Sequence, residues 1–256
     1  MSLNLFIGID YSGAETPTSR LKGLQVFATT EGPPRRVIAV PEEGKTHWNW
    51  SRREIANYLI ELAGTDAQFI AALDHGFSFP LSYMQRYGLT SWDAFLADFV
   101  QHWPTHDPYT YVDFIRDRLP PRTGESSELR ICERWTSSAK SVFRFDVQGQ
   151  VAKSTHAGIP WLWHIRKEVG NRVHFWPFDG WDVPEGKSVI VEVYPSIFRN
   201  RYLRGERTVD EQDAYSVARW LYETYQNGVL DRYLHPALTD RDRQIAELEG
   251  WILGIA

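Results

Sequence analysis

Residues Leu3 to Gly13, Leu-Asn-Leu-Phe-Ile-Gly-Ile-Asp-Tyr-Ser-Gly, limit what this chain can fold into more than any other stretch. Seven residues, apolar but for Asn4, run into Asp10, and Tyr11-Ser12-Gly13 then turns the backbone away. A near-continuous apolar run of this length reads as a strand covered on both faces, in the middle of an α/β sheet. Asp10 then stands where that strand emerges. Desolvating a carboxylate there costs several kcal/mol unless a cation or hydrogen-bond donors pair with it. The plainer reading is an aspartate that caps the following turn through its own side chain. Whether other carboxylates arrive at the same place separates the two readings.

With 256 residues the chain is long enough for one large domain, or one domain with an insertion, around a substantial core. Hydrophobic residues at 43% and charged residues at 24% describe a soluble globular protein. The single cysteine, Cys132, excludes an intrachain disulfide and fits a reducing, cytoplasmic setting. No apolar run reaches transmembrane length, and the N-terminus lacks a basic segment followed by an apolar one, so neither a membrane partner nor a secretory signal is expected. A balance of 28 basic and 33 acidic residues excludes a globally basic nucleic-acid binder. Any contact with nucleic acid has to be a local patch.

After the first strand, Leu24–Thr29 and Arg36–Val40 are short β-type runs around a Gly32-Pro33-Pro34 turn, which predicts an antiparallel meander. Ser51-Arg52-Arg53-Glu54 is a capping box, and the helix it opens places Ile55, Leu59 and Leu62 on one face up to Gly64. Gln68–Leu73 is a second buried-type strand, ending on Asp74. A strand, a helix and a returning strand predict a parallel crossover, whose ligands bind outside the carboxyl ends of the strands. That puts Asp10 and Asp74 on one sheet edge. From about 81 to 173 the pattern is mostly helical, with a proline-containing linker at Leu119–Ser127, and reads as an insertion in a single domain.

Lys187–Pro195 is a third buried-type strand, with Glu192 inside it. Thr208-Val209-Asp210-Glu211 is another capping box, and the helix that follows carries Asp210, Asp213, Val217, Trp220 and Leu221 on one side. Asp210 suits a helix N-terminus in any protein. Asp213 lies deeper, in line with the core residues. The apolar tail Trp251–Ile255 is expected to pack onto the domain. Carboxylates converging on one edge repel strongly at low dielectric, and a hard divalent cation relieves that conflict. Oxygen-only ligands point to Mg²⁺ or Mn²⁺ rather than zinc.

Gly-Ile-Asp-Tyr-Ser-Gly at 8–13, Ala-Leu-Asp-His-Gly-Phe-Ser-Phe-Pro at 72–80, Val-Glu-Val-Tyr-Pro-Ser at 191–196, the 210–221 segment and Glu-Gly-Trp-Ile-Leu-Gly-Ile at 249–255 together resemble a domain family of unknown function. That family is described as predicted nucleases with a ribonuclease H-like fold. The resemblance implies a mixed five-stranded sheet flanked by helices, with the helical insertion at about 81–173. It also implies metal-dependent hydrolysis of a nucleic acid. Asp10, Asp74 and Asp213 are then metal ligands, with Asp10 bridging two ions. Asp210 resembles the paired carboxylates on the last helix of RuvC-type resolvases, and Glu192 or Asp210 orients water. His75-Gly76 departs from the small residue and proline often found after the second aspartate.

Arg199, Arg201, Arg204 and Arg207 form a basic run beside the predicted site, either holding substrate phosphates or lining a solvated loop. Ser137–Ser141, with Lys140, and Lys153–His156 look phosphate-friendly without P-loop glycine spacing, and read as surface loops or as substrate-facing segments. A rival reading is a nucleotide-dependent phosphotransferase or ATPase of the actin-like superfamily, which shares the sheet and whose phosphate loops Asp10–Gly13 and Asp74–Gly76 loosely echo. A non-catalytic relic of the fold is the third.

Overall fold

Through β1 (Leu5–Asp10), β2 (Gln25–Thr29) and β3 (Arg35–Val37) the chain meanders antiparallel, in a computed structural model that describes residues 2–40, 49–118, 122–136, 139–145 and 151–255. Helix α1 (Arg52–Leu62) crosses back to β4 (Phe69–Leu73), which pairs parallel with β1. Helices α2 (Leu81–Tyr87), α3 (Trp92–His102), α4 (Val112–Arg118), α5 (Ile131–Arg134) and α6 (Val151–Val169) follow. The chain re-enters the sheet as β5 (Val173–Phe175) and β6 (Ser188–Val193), then forms α7 (Val209–Gln226), α8 (Leu230–Leu234), α9 (Asp240–Glu249) and β7 (Ile252–Leu253).

The mixed α/β sheet has seven strands, ordered β3-β2-β1-β4-β6-β5 with β7 also on β6, rather than five. The additional strands are short, three residues in β5 and two in β7, and so carry too little alternation to be read from sequence. The third strand of the meander stops at Val37, whose carbonyl accepts the Trp50 indole N–H at 2.9 Å, instead of running to Val40. Both predicted capping boxes are reciprocal. Ser51 N–H donates to Glu54 at 2.9 Å and Thr208 N–H to Glu211 at 2.9 Å, each glutamate N–H returning a bond to the cap hydroxyl.

Strand alternation divides the apolar residues between the two faces. Ile7, Ile9, Ala71 and Leu73 enter a core with Ile55 and Leu59 of α1, Phe95 and Phe99 of α3, and Ile159 and Leu162 of α6. Phe6, Ile70, Val189 and Val191 face Val217, Trp220 and Leu221 of α7. The helical segment is therefore not a separate body; α3 and α6 complete one of the two layers that cover the sheet. Residues 119–121 of the predicted linker, and Ser137 and Ser138, lie outside the described residues.

Gly8 sets the spacing between β1 and α7. A Cβ there would lie 2.2 Å from the Ala214 carbonyl oxygen and 2.7 Å from the Ala218 nitrogen, both helix backbone. Close approach of another backbone is the ordinary reason for glycine inside a strand. Gly8→Ala should lower stability in urea unfolding by about 3 kcal/mol, because the strand or the helix has to move to admit one methyl group.

Candidate functional site

The same alternation decides which carboxylates meet. Phe6 and Gly8 face α7, so Asp10, two residues further, does too. Ile70 and Ala72 face that side of β4, and Asp74 continues the register just past the strand, its N–H bonded to the Ile9 carbonyl at 3.0 Å. Asp213 is on the first turns of α7, beside the Ala214 that packs on Gly8. These three side chains and Asp210 line an open cleft of about 770 Å³ at the carboxyl ends of β1 and β4.

The carboxyls of Asp10 and Asp74 are close enough to share a hydrogen bond. Burial, then the charges of Asp74, Asp213 and Asp210, hold the Asp10 carboxyl well above the usual carboxylate range. Burial, and next Asp213, push Asp74 up to about 7. Asp210 is raised by burial and by Asp213. Asp213 has a different partner. Arg199 grips both its oxygens, Nε donating to Oδ1 at 2.5 Å and Nη2 to Oδ2.

Oxygen-only donors are the kind a hard divalent cation takes, and Asp10 and Asp74 are two such donors side by side. Both oxygens of Asp213 are engaged by Arg199. In the arrangement described, no three His, Cys, Asp or Glu side chains among the described residues form a ready metal cage.

Glu192, predicted with the catalytic set, faces the other way. It pairs in register with Leu73, and its neighbour Ile190 lies in the α1–α3–α6 core. Arg130, itself buried, donates to both Glu192 oxygens, Nη1 to Oε2 at 2.7 Å, and the Phe77 N–H donates to the same Oε2 at 2.9 Å. Glu133 completes the cluster through the Arg130 Nε at 2.8 Å. Losing one partner of such a buried pair costs about 3–5 kcal/mol, so this group holds β6 to α5.

The predicted basic residues also separate. Arg201 and Arg204 are exposed on the loop before α7 and do not line the cleft. Arg207 lies 3.7 Å over the Tyr215 ring and donates to Gln212 Oε1 at 2.8 Å, which spends its guanidinium on structure. Lys140 lines a smaller neighbouring pocket with Asp74, Arg130 and Tyr194. Among the described residues, the cations that do reach the cleft are Arg199, Arg144 and Lys153, the last also ion-paired with Asp113 at 2.7 Å. Lys153–His156 are the first turns of α6 rather than a surface loop.

A residue without any site signal in the sequence shapes the cleft's floor. Arg52 is buried in the first turn of α1 and donates to the carbonyls of Ser12 at 3.0 Å, Ala14 at 2.7 Å and Glu15 at 2.8 Å. It ties down the loop that leaves Asp10. Gly13 on that loop sits so close to α6 that a Cβ would lie 2.1 Å from the Lys153 carbonyl oxygen. Cys132 is buried, and burial pushes its thiol up, out of nucleophilic range.

Comparison of the chain with protein-family models, with curated proteins and with solved structures finds no match in any of the three.

A carboxyl whose pKa is higher in the fold than in the unfolded chain stabilises fully below its unfolded pKa, and that contribution is lost as pH rises through the folded one. For Asp74 the window runs from about 4 in the unfolded chain to about 7 in the fold. With EDTA present, raising the pH from about 5 to about 8 should lower the Tm of the wild-type protein more than that of Asp10→Asn, in which the paired charge is gone. Thermal unfolding followed by circular dichroism measures the difference.

Proposed function

We propose that the protein hydrolyses phosphodiester bonds of a nucleic acid with divalent cations held at the Asp10–Asp74 cleft, on a ribonuclease H-like sheet. The observation that carries this reading is the contact of the Asp10 and Asp74 carboxyls at the ends of adjacent parallel strands, with Asp213 and Asp210 opposite them on α7. Strand order supports it. An antiparallel β1–β2–β3 meander followed by β4 and β6 added parallel to β1 is the arrangement that the motif resemblance implies. No helix among the described residues is long and apolar enough to cross a membrane.

Cations bound there supply an activated water and a counter-charge for the departing oxygen. Asp10 and Asp74 are the residues that would hold them, joined by Asp213 once it is free of Arg199. Asp210, half-buried at the N-terminus of α7, would orient water from the far wall. Arg144, Lys153 and Arg199 line the same cleft and are the cations that a phosphate backbone would meet there. Glu192 has no part in the reaction; with Arg130 it fixes the position of β6.

Substitution separates these roles. Asp10→Asn should reduce Mn²⁺-dependent cleavage of single-stranded and double-stranded DNA and RNA substrates by at least about a hundredfold while leaving the folded structure intact. Glu192→Gln should lower the Tm and leave cleavage per folded molecule within about threefold of wild type. Full activity in Asp10→Asn removes the cleft from the mechanism. Nucleotide titration by calorimetry addresses the phosphotransferase alternative, which requires saturable ATP binding.

A further inference from the structure

Arg199 stands in the cleft in a way that a substrate-binding arginine alone does not explain. Its guanidinium makes a two-pronged contact with Asp213, using both carboxylate oxygens, and Asp213 is buried to 4% exposure. Asp213 thus cannot turn to solvent for another partner. The arginine side chain, by contrast, is 41% exposed. Its backbone is anchored, since the Arg199 carbonyl accepts the Gln212 side-chain amide at 3.1 Å. Only the guanidinium has to move for the pair to separate.

We propose that Arg199 is a resident cation that competes with a divalent ion for Asp213. This inference rests on the divalent site proposed above. Arg199 brings one positive charge to a cleft whose wall holds Asp10, Asp74, Asp210 and Asp213, so a doubly charged ion at the same place neutralises more of the repulsion. While Arg199 is in place, its guanidinium lies on both Asp213 oxygens and its charge opposes a second cation there, so that an ion meets three of the four carboxyls instead of all of them. Displaced from Asp213, the guanidinium remains at the rim of the cleft, beside Ser196 and on the loop of Arg201 and Arg204, where a phosphate can accept it. A phosphate-bearing ligand therefore gives Arg199 an alternative partner and raises the affinity for the ion. By reciprocity the ion raises the affinity for the phosphate.

Mn²⁺ binding to the full chain, followed by electron paramagnetic resonance of the free ion, tests this without any turnover. Arg199→Gln should bind Mn²⁺ about tenfold more tightly than wild type, and Arg199→Lys, which keeps the charge and loses the two-pronged grip, should fall between them. In an Asp213→Asn background the Arg199→Gln gain should vanish, because the ligand that the substitution frees is no longer there. A non-hydrolysable phosphorothioate dinucleotide should tighten Mn²⁺ binding to wild type and not to Arg199→Gln. Measurable Mn²⁺ binding that is equal or weaker in Arg199→Gln overturns the competition and leaves the divalent site standing. Absence of Mn²⁺ binding at millimolar concentration in all the variants overturns both.

Discussion

A missing side chain at Gly8 sets the distance between α7 and the central strand, and the geometry of the cleft follows from that distance. With helix backbone 2.2 Å from where a Cβ would be, and small residues Ala214 and Ala218 at the contact, α7 lies against β1 more closely than any side chain allows. Asp213 is thereby brought within electrostatic reach of Asp10 and Asp74. Gly13 does the same on the other side of Asp10, where the loop meets the Lys153 carbonyl of α6. Arg52 holds the loop between these two approaches by three backbone carbonyls. Glycine gives up more conformational entropy on folding than any other residue, and here that cost is offset by two helices that would otherwise stand off from the sheet.

Close packing creates the electrostatic problem that marks this edge of the molecule. Like charges drawn together in a half-dry cleft need a proton, a cation or a donor. Asp10 and Asp74 lie within hydrogen-bonding reach of each other with both carboxyls held above their usual range, and Asp213 is met by a guanidinium. On the opposite face Glu192 has the same problem and a permanent answer, since Arg130 is as deeply buried as its partner and is held in place by Glu133 as well. The two arginine–carboxylate pairs differ in one physical respect. Arg130 has nowhere to go, whereas Arg199 is 41% exposed and can leave. A permanent pair serves the architecture; a releasable one serves exchange.

Local signals explain how much of this was legible in advance. The capping boxes at Ser51 and Thr208 are self-contained within four residues, and both form as read. Asp210 and Asp213 share a helix side because helical spacing alone requires it. The parallel pairing of β1 with β4 follows from a strand, a crossover helix and a returning strand. The missed strands, β5 and β7, have three and two residues, too few to show a repeating alternation, and both pair with β6. Arg52 gave no signal, for its partners lie about forty positions earlier and are backbone atoms. Of the two readings of Lys153–His156, the surface loop fails for a related reason. Polar residues opening a helix look like loop until the apolar face behind them, Ala157 to Leu162, is seen to be buried.

Periodicity and strand-end chemistry, carried by the sequence alone, determined a buried mixed sheet, a helix bearing carboxylates on its inner side, and acidic residues at the ends or within the strands. Only the tertiary structure decided which of them meet. A strand apolar on both faces does not say which face any one residue takes, so Asp10, Asp74 and Glu192 looked equivalent. Register divided them, because Glu192 is aligned with Leu73 while Asp10 and Asp74 continue the Gly8 and Ala72 side. The choice of partner for each charge was likewise a matter of folded distance, since Arg199 and Arg207 belong to one basic run and only the fold set one against Asp213 and the other on Tyr215.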